Sequence, residues 1–414
     1  MSRPLPNAAF DLTLDLLRDP YGFIGRHCDR LGSDGFRTRI ALRPAICLRG
    51  AEAAAFFYDG ERFGRAKAMP PVTVRLLQDK GSVQTLNGAA HRHRKAMFLD
   101  LATAPDRVAA LEQAFGRAWD AAQERWLAAG EARLLPEVNL VLARATVDWM
   151  GFDWAERGGR RFSRDMDAMV ANAAGMGPRS WAALMRRRRA ERAVRRQILA
   201  IRQGRHPAAE NAPARKLAFF RDETGELLAP EVAAVEALNL LRPTLAIGRF
   251  IVDAAQALER DPALRAALVS DPSLTEGFAE EVRRRARYFP LIGGTALHDL
   301  DWRGTPIRKG SWVLLALWGT SNDPRAIAGP ERIDPTRAHS WREQGHQVIP
   351  QGAGLSAETH RCPGEWITVA LMTQATTRLL RLSYRVGPAA MKSPPFRYPP
   401  SPRDGFQMRD LRLR

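Results

Sequence analysis

Cys362 ends a glycine-bearing loop in HQVIPQGAGLSAETHRCPGEWITVALMTQATTRLL, immediately before a long amphipathic stretch. At a helix entrance, with Pro363 suiting the first turn and Glu365 complementing its positive end, the sulfur is expected to favour the thiolate, the form that binds iron. Taken alone, C-P-G-E describes an inert buried cysteine better than a ligand. Upstream, Glu281-Val282-Arg283-Arg284 sets Glu281 and Arg284 three residues apart on one helical face, and Glu280 with Arg283 offers a competing register. A pair of this kind is ordinarily a surface ion pair of little energetic weight. Arg337 closes NDPRAIAGPERIDPTR, by itself a surface loop. Arg242 and Pro243 interrupt the apolar stretch EALNLLRPTLAIGRFIVDAAQAL, where the proline should kink a helix and free a backbone carbonyl. A guanidinium in such surroundings is costly unless paired, and its fork matches a carboxylate through two hydrogen bonds. An arginine that reaches solvent at the kink, or pairs internally, is the plainer alternative.

These residues need helices to hold them. Apolar residues at three- and four-residue spacing predict helices around Asp106 to Trp126, Ser180 to Arg202, Pro230 to Leu258 and Glu365 to Leu382. Shorter alternating stretches predict strands at Gly35 to Leu48, Gly293 to Leu297, Thr305 to Ile307, Trp312 to Leu317 and Arg403 to Leu413. The result is a mainly α chain with small β-sheets. No repeat and no Gly/Ser linker divides it, so residues 1–414 are expected to form a single domain, with Arg202 to Arg215 its most exposed loop.

The chain has 414 residues with 45% hydrophobic and 26% charged, a composition that suits a large buried core and excludes disorder. The net charge of +18 invites an anionic partner, and much of the excess lies between Arg186 and Arg205, read here as one solvated helix face. No zinc-ligand spacing, RNA-binding signature or helix-turn-helix accompanies that run, so no nucleic-acid partner is expected. Three cysteines without clustered spacing (Cys28, Cys47 and Cys362) exclude a disulfide framework and suit a reducing cytoplasm. Neither a signal peptide nor a membrane span is expected.

In order, the E-x-x-R helix, the D-P...P-E-R-x-D-P-x-R segment and the Cys loop resemble the cytochrome P-450 superfamily. The resemblance implies heme b, buried between a kinked central helix and the ligand loop, with Cys362 as the axial iron ligand and Glu281, Arg284 and Arg337 locking the region behind it. A thiolate ligand pushes electron density onto iron and favours O–O cleavage. The central helix lacks the paired acidic residue and threonine of oxygen-activating members. Instead LRPT, together with GSVQTLNGAAHRHRKAMF (Gly81 to Phe98), ERFGRAKAMP (Glu61 to Pro70) and IPQGAG...HRCPGEWI, resembles the bacterial fatty-acid peroxygenase branch over nearly the whole chain.

That branch implies oxidation of fatty acids by hydrogen peroxide without an obligatory redox partner. Arg242 and Pro243 would receive the substrate carboxylate, which itself would serve as the acid-base group. Arg65, His91 and Lys95 become candidates for holding the haem propionates, and Gln84 a residue above the iron face. Relatives biased toward decarboxylation tend to carry His at the Gln84 position, so α- or β-hydroxylation is expected to exceed loss of carbon dioxide to a terminal alkene. The sequence also departs from its relatives. Gly352-Ala353-Gly354-Leu355-Ser356 replaces G-G-G-D-H, Thr359 stands where a glycine precedes His360, Arg287 replaces a proline, and Gln78 lines a pocket where apolar residues are usual. A reductase-dependent monooxygenase and a non-catalytic haem-binding protein are the alternatives.

Overall fold

The computed structural model describes residues 4–79, 81–153, 156–175, 177–340 and 345–414. A helical body surrounds the helix Pro230–Arg260, which is buried along most of its length. Prolines open several of these helices at the first position, among them Pro105–Ala129, Pro178–Arg202 and Pro230–Arg260. Proline has no N–H to lose there and a φ already suited to the helix. This is why the first two begin slightly upstream of where apolar spacing placed them.

The helix Leu134–Met150, which apolar periodicity does not reveal, is buried almost all round and packs between Pro105–Ala129 and the central helix. A helix covered on every side has no polar face, and so no amphipathic signature. One large apolar cluster joins these helices to Glu365–Leu380, and smaller clusters lie on the sheet.

The five-stranded sheet runs in the order Gly35–Ile40, Arg43–Leu48, Trp312–Ala316, Leu291–Ala296 and Phe63–Gly64. The stretch Gly35 to Leu48 is therefore a hairpin, turned at Ala41 and Leu42, both at positive φ. The tail forms the strand Gln407–Leu413, shorter than expected because 403–406 turns before it. Among the described residues no helix is long and apolar enough to cross a membrane.

The arginine run is not one solvated face. Arg187 is 2% exposed. It donates to the Leu76 carbonyl at 2.9 Å and to Glu191 at 2.7 Å, and lies 3.3 Å from Asp79. Arg189 pairs with Asp165 on the neighbouring helix Glu156–Ala171. Two arginines of the run are thus structural cations, each directed at an acid that sequence spacing does not bring near it.

Candidate active site

Cys362 lies in the loop that enters the helix Glu365–Leu380, with Gly364 at its N-cap, so Pro363 precedes the helix instead of occupying its first turn. Its N–H donates to the Gln351 carbonyl at 2.9 Å. Burial pushes the thiol above its ordinary value, against the opposing pull of the Gly364 N–H and the Lys95 ammonium. For the free thiol desolvation outweighs the helix end, and coordination to iron is what would remove the proton and give the expected thiolate.

The loop's departures have physical explanations. Gly352 and Gly354 keep positive φ values of 101° and 79°, while Ala353 between them does not and is fully buried. A Cβ at Gly352 would come within 3.0 Å of the Arg361 Cα, whereas the middle residue needs no glycine. Thr359 makes use of its side chain: its hydroxyl lies 2.7 Å from the Ala353 carbonyl and accepts the Arg361 N–H at 3.2 Å. Arg287 stacks near Tyr21 and Trp318, with ring distances of 6.0 and 5.8 Å.

Behind the loop both helical registers are occupied. In the helix Leu274–Arg285, Arg284 clamps Glu281 through two bonds of 2.7 and 3.1 Å, with both side chains fully buried. Arg337 approaches Glu281 at 3.7 Å and donates to the Ala328 carbonyl at 2.7 Å. The neighbouring pair Glu280 and Arg283 is buried as well, and Arg283 reaches Glu365 at 2.7 Å and the Gln351 side chain at 3.2 Å. Arg361 completes the chain by donating to Glu365 at 2.7 Å.

Burial opposes ionisation of Glu365, yet Arg283 and Arg361 overcome it and hold the carboxyl below its ordinary value. A lowered folded value means stability that is present above the ordinary carboxylate range and lost as pH falls through the lowered value. Glu365→Ala, which leaves Arg283 partly unpaired, is expected to cost about 3–5 kcal/mol, read as a lowered midpoint in chemical denaturation. A midpoint within error of the parent would show that Glu365 is not a structural anion.

Around the same loop, Arg65, His91 and Lys95 gather as positive or potentially positive groups. Arg65 donates to the Gly293 carbonyl at 2.9 Å, Lys95 donates to the Thr359 carbonyl at 3.0 Å, and the His91 ring lies 4.1 Å from that of His360. None of them forms an ion pair among the described residues. Burial and neighbouring cations push Lys95 down to about 8 and His91 down to about 4, and burial with Arg65, His91 and Lys95 drives His360 well below its ordinary value. Two buried cations, Arg65 and Lys95, without an acidic partner among the described residues and beside two neutral imidazoles, fit a dianionic macrocycle whose propionates would neutralise them. His360 was missed as a partner in the sequence, although its place two residues before Cys362 was the available signal.

Facing this loop, the central helix continues unbroken through Pro243. Arg242 is 6% exposed and donates only to neutral acceptors, the Leu77 carbonyl and Asn239 Oδ1, while its Nε has no partner. Burial and nearby Arg187 push its guanidinium down to about 10, against the opposing influence of Tyr288 and Cys362.

Glu236 and Asn239, which sequence reasoning missed, hold this wall together. The buried Glu236 accepts from Arg94 at 2.9 Å, from the Val83 N–H at 2.8 Å and from Asn239 at 3.1 Å. Asn239 in turn donates to Gln84 at 3.2 Å, tying the loop Val83–Thr85 to the helix beside Arg242. An acid inside an otherwise apolar helix was the signal. Gln78 caps the helix Pro71–Leu77 through its backbone, next to the carbonyl that Arg242 holds.

No protein-family profile matches the chain. Cytochrome P450 105C1 of a Streptomyces species is 31% identical over 139 residues, and the match spans 33% of this chain and about a third (32%) of that relative's length. Solved structures match over the whole chain. Cytochrome P450SP alpha (CYP152B1) in complex with (R)-ibuprofen shares 38% identity at a TM-score of 0.94, covering 98% of this chain and 100% of the other. Cytochrome P450EX alpha (CYP152N1) with myristic acid shares 31% identity, with a TM-score of 0.94 and 100% of each chain covered. An OleT cytochrome P450 variant in complex with arachidonic acid shares 27% at a TM-score of 0.94, covering 100% of this chain and 99% of that one.

Proposed function

This chain belongs to the CYP152 cytochrome P450s, and from that premise we propose that it oxidises fatty acids with hydrogen peroxide, mainly to α- or β-hydroxy acids. The observation that carries the reading is Arg242: a buried guanidinium with two neutral acceptors and no ion-paired acid among the described residues. Such a charge is stable only if something anionic joins it, and a fatty-acid carboxylate supplies two oxygens for its fork. The neighbouring structures, whose bound ligands include myristic acid, arachidonic acid and (R)-ibuprofen, support a carboxylic acid as that anion.

Haem b bound through Cys362 supplies the oxidising iron and the reaction with peroxide. Arg65, His91 and Lys95 would hold its propionates, while Glu281, Arg284 and Arg337 keep the segment behind it in place. Arg242 holds the substrate carboxylate ionised and oriented, so that the carboxylate oxygen can accept and return a proton on the side facing the iron. Glu236, the buried acid on the same helix, is already held by Arg94, the Val83 N–H and Asn239. Thr244 follows Pro243, but its hydroxyl donates to the Leu240 carbonyl at 2.8 Å within the helix. Gln84, held by Asn239, hydrogen-bonds without titrating, which favours hydroxylation over proton-coupled loss of carbon dioxide. Because hydrogen peroxide already carries the oxygen atom and the two electrons that a reductase would otherwise deliver to dioxygen, no redox partner is required, and a cytoplasmic location suits the cysteine usage.

The test is incubation of the haem-loaded protein with a fatty-acid series and peroxide, without reductase, with products identified by mass spectrometry. Hydroxy acids should dominate, and Gln84→His should raise the alkene fraction severalfold at equal peroxide feed, since an imidazole can exchange a proton near neutral pH. Turnover that needs reductase and oxygen would favour the monooxygenase alternative. A flat product ratio would remove Gln84 from control of the outcome.

A further inference from the structure

A cavity of about 590 Å³ lies between the helices Leu134–Met150 and Glu156–Ala171, the start of Pro178–Arg202 and the segment 394–398. Arg164, Arg179, Arg186 and Arg397 line it, and its one lining carboxylate, Asp167, is already engaged. Asp167 accepts from Arg249 at 2.7 Å and from Asn139 at 3.2 Å. Arg249 is 4% exposed, and its Nη1 is buried without a hydrogen-bond partner. Burial, Arg249 and Arg179 together hold the Arg397 guanidinium below its ordinary value. Four lining guanidiniums thus face one carboxylate that is already paired with Arg249 behind it, an excess of positive charge that favours an anion in the cavity.

The remaining wall suits an amphiphile. Pro136, Ala168 and Pro394 add apolar surface, and Phe396 stands 71% exposed at the rim. Arg249 also lies seven residues after Arg242 on the central helix, two turns or about 10 Å along the same face. We propose that this cavity is a second, outer carboxylate site, in which a fatty-acid molecule is held by Arg164, Arg179 and Arg397 apart from the one bound at Arg242. The assignment of the ligand as a fatty acid rests on the function proposed above. The cationic wall attracts the anion from solution and raises its local concentration beside the inner site.

Calorimetric titration of the haem-loaded protein with myristate, paired with the change in haem absorption, tests this. The parent should bind two molecules per chain. Arg242→Leu should bind one and show no haem response. Arg179→Ala with Arg397→Ala should also bind one, with the haem response retained. Arg179→Glu, a charge reversal at an exposed position, should weaken the silent site about tenfold, a difference of about 1.4 kcal/mol, without loss of folding.

A stoichiometry of one in the parent, or of two in the double variant, overturns the outer site. Inorganic phosphate that fills the cavity while myristate does not would reassign it to phosphate headgroups and overturn the carboxylate. If Arg242→Leu keeps both molecules and the haem response, the inner clamp fails and the outer site stands.

Discussion

Arg242→Leu is expected to lower peroxide-driven turnover of fatty acids by on the order of 10²–10⁴-fold while haem content stays at the parent level. The substitution removes the fork that would orient the carboxylate and the charge that would keep it ionised in buried surroundings, so substrate binding and proton transfer should fail together. Stability argues in the other direction. Removing a buried cation that lacks an acidic partner relieves desolvation, against the loss of donors to the Leu77 carbonyl and Asn239 at roughly 1 kcal/mol each. The thermal midpoint should therefore stay within a few degrees of the parent. Arg242→Lys, which keeps charge but not the planar fork, should retain binding better than turnover. Steady-state kinetics with one fatty acid checks all three proteins, and unchanged turnover in Arg242→Leu would refute the carboxylate clamp.

Arg242 and Cys362 drew notice because each breaks a local pattern, a charge in an apolar helix and a cysteine between a glycine loop and a helix, but the pattern alone suited an inert cysteine and an arginine paired internally or reaching solvent, and their expected roles came from the resemblance. The E-x-x-R helix was legible only by resemblance, and spacing could not choose between Glu281–Arg284 and Glu280–Arg283. The structure uses both, the first to hold the segment 330–337 and the second to hold the entrance of the ligand helix. Residues that position others were hidden. Glu236 binds Arg94, which lies 142 positions away in the chain, and Arg187 binds a carbonyl 111 positions away. Contacts of that separation depend on how helices pack, which periodicity does not report. The burial of the sulfur was hidden for a related reason: the helix end that favours a thiolate is visible in the sequence, whereas the desolvation that opposes it is not.

That burial shapes what should follow from removing the sulfur. Cys362→Ala is expected to lose the red-shifted absorption of the reduced carbon monoxide complex, and its fatty-acid turnover should fall to the level of free haem. No other cysteine can take over. Cys28 and Cys47 lie in an apolar cluster against the sheet, where burial pushes the first thiol up to about 12 and the second well above its ordinary value. A thiol held protonated by its surroundings and enclosed in an apolar cluster is not available as a ligand. Haem binding need not disappear with the sulfur, because Arg65, His91 and Lys95, proposed above to hold the propionates, would remain in place. The variant should therefore separate two contributions: cationic anchoring, read as residual haem content, and thiolate donation, read as the position of the carbon monoxide band. A variant that kept the parent band would show that iron is held elsewhere. One that lost haem altogether would show that the cationic cluster contributes little without the sulfur.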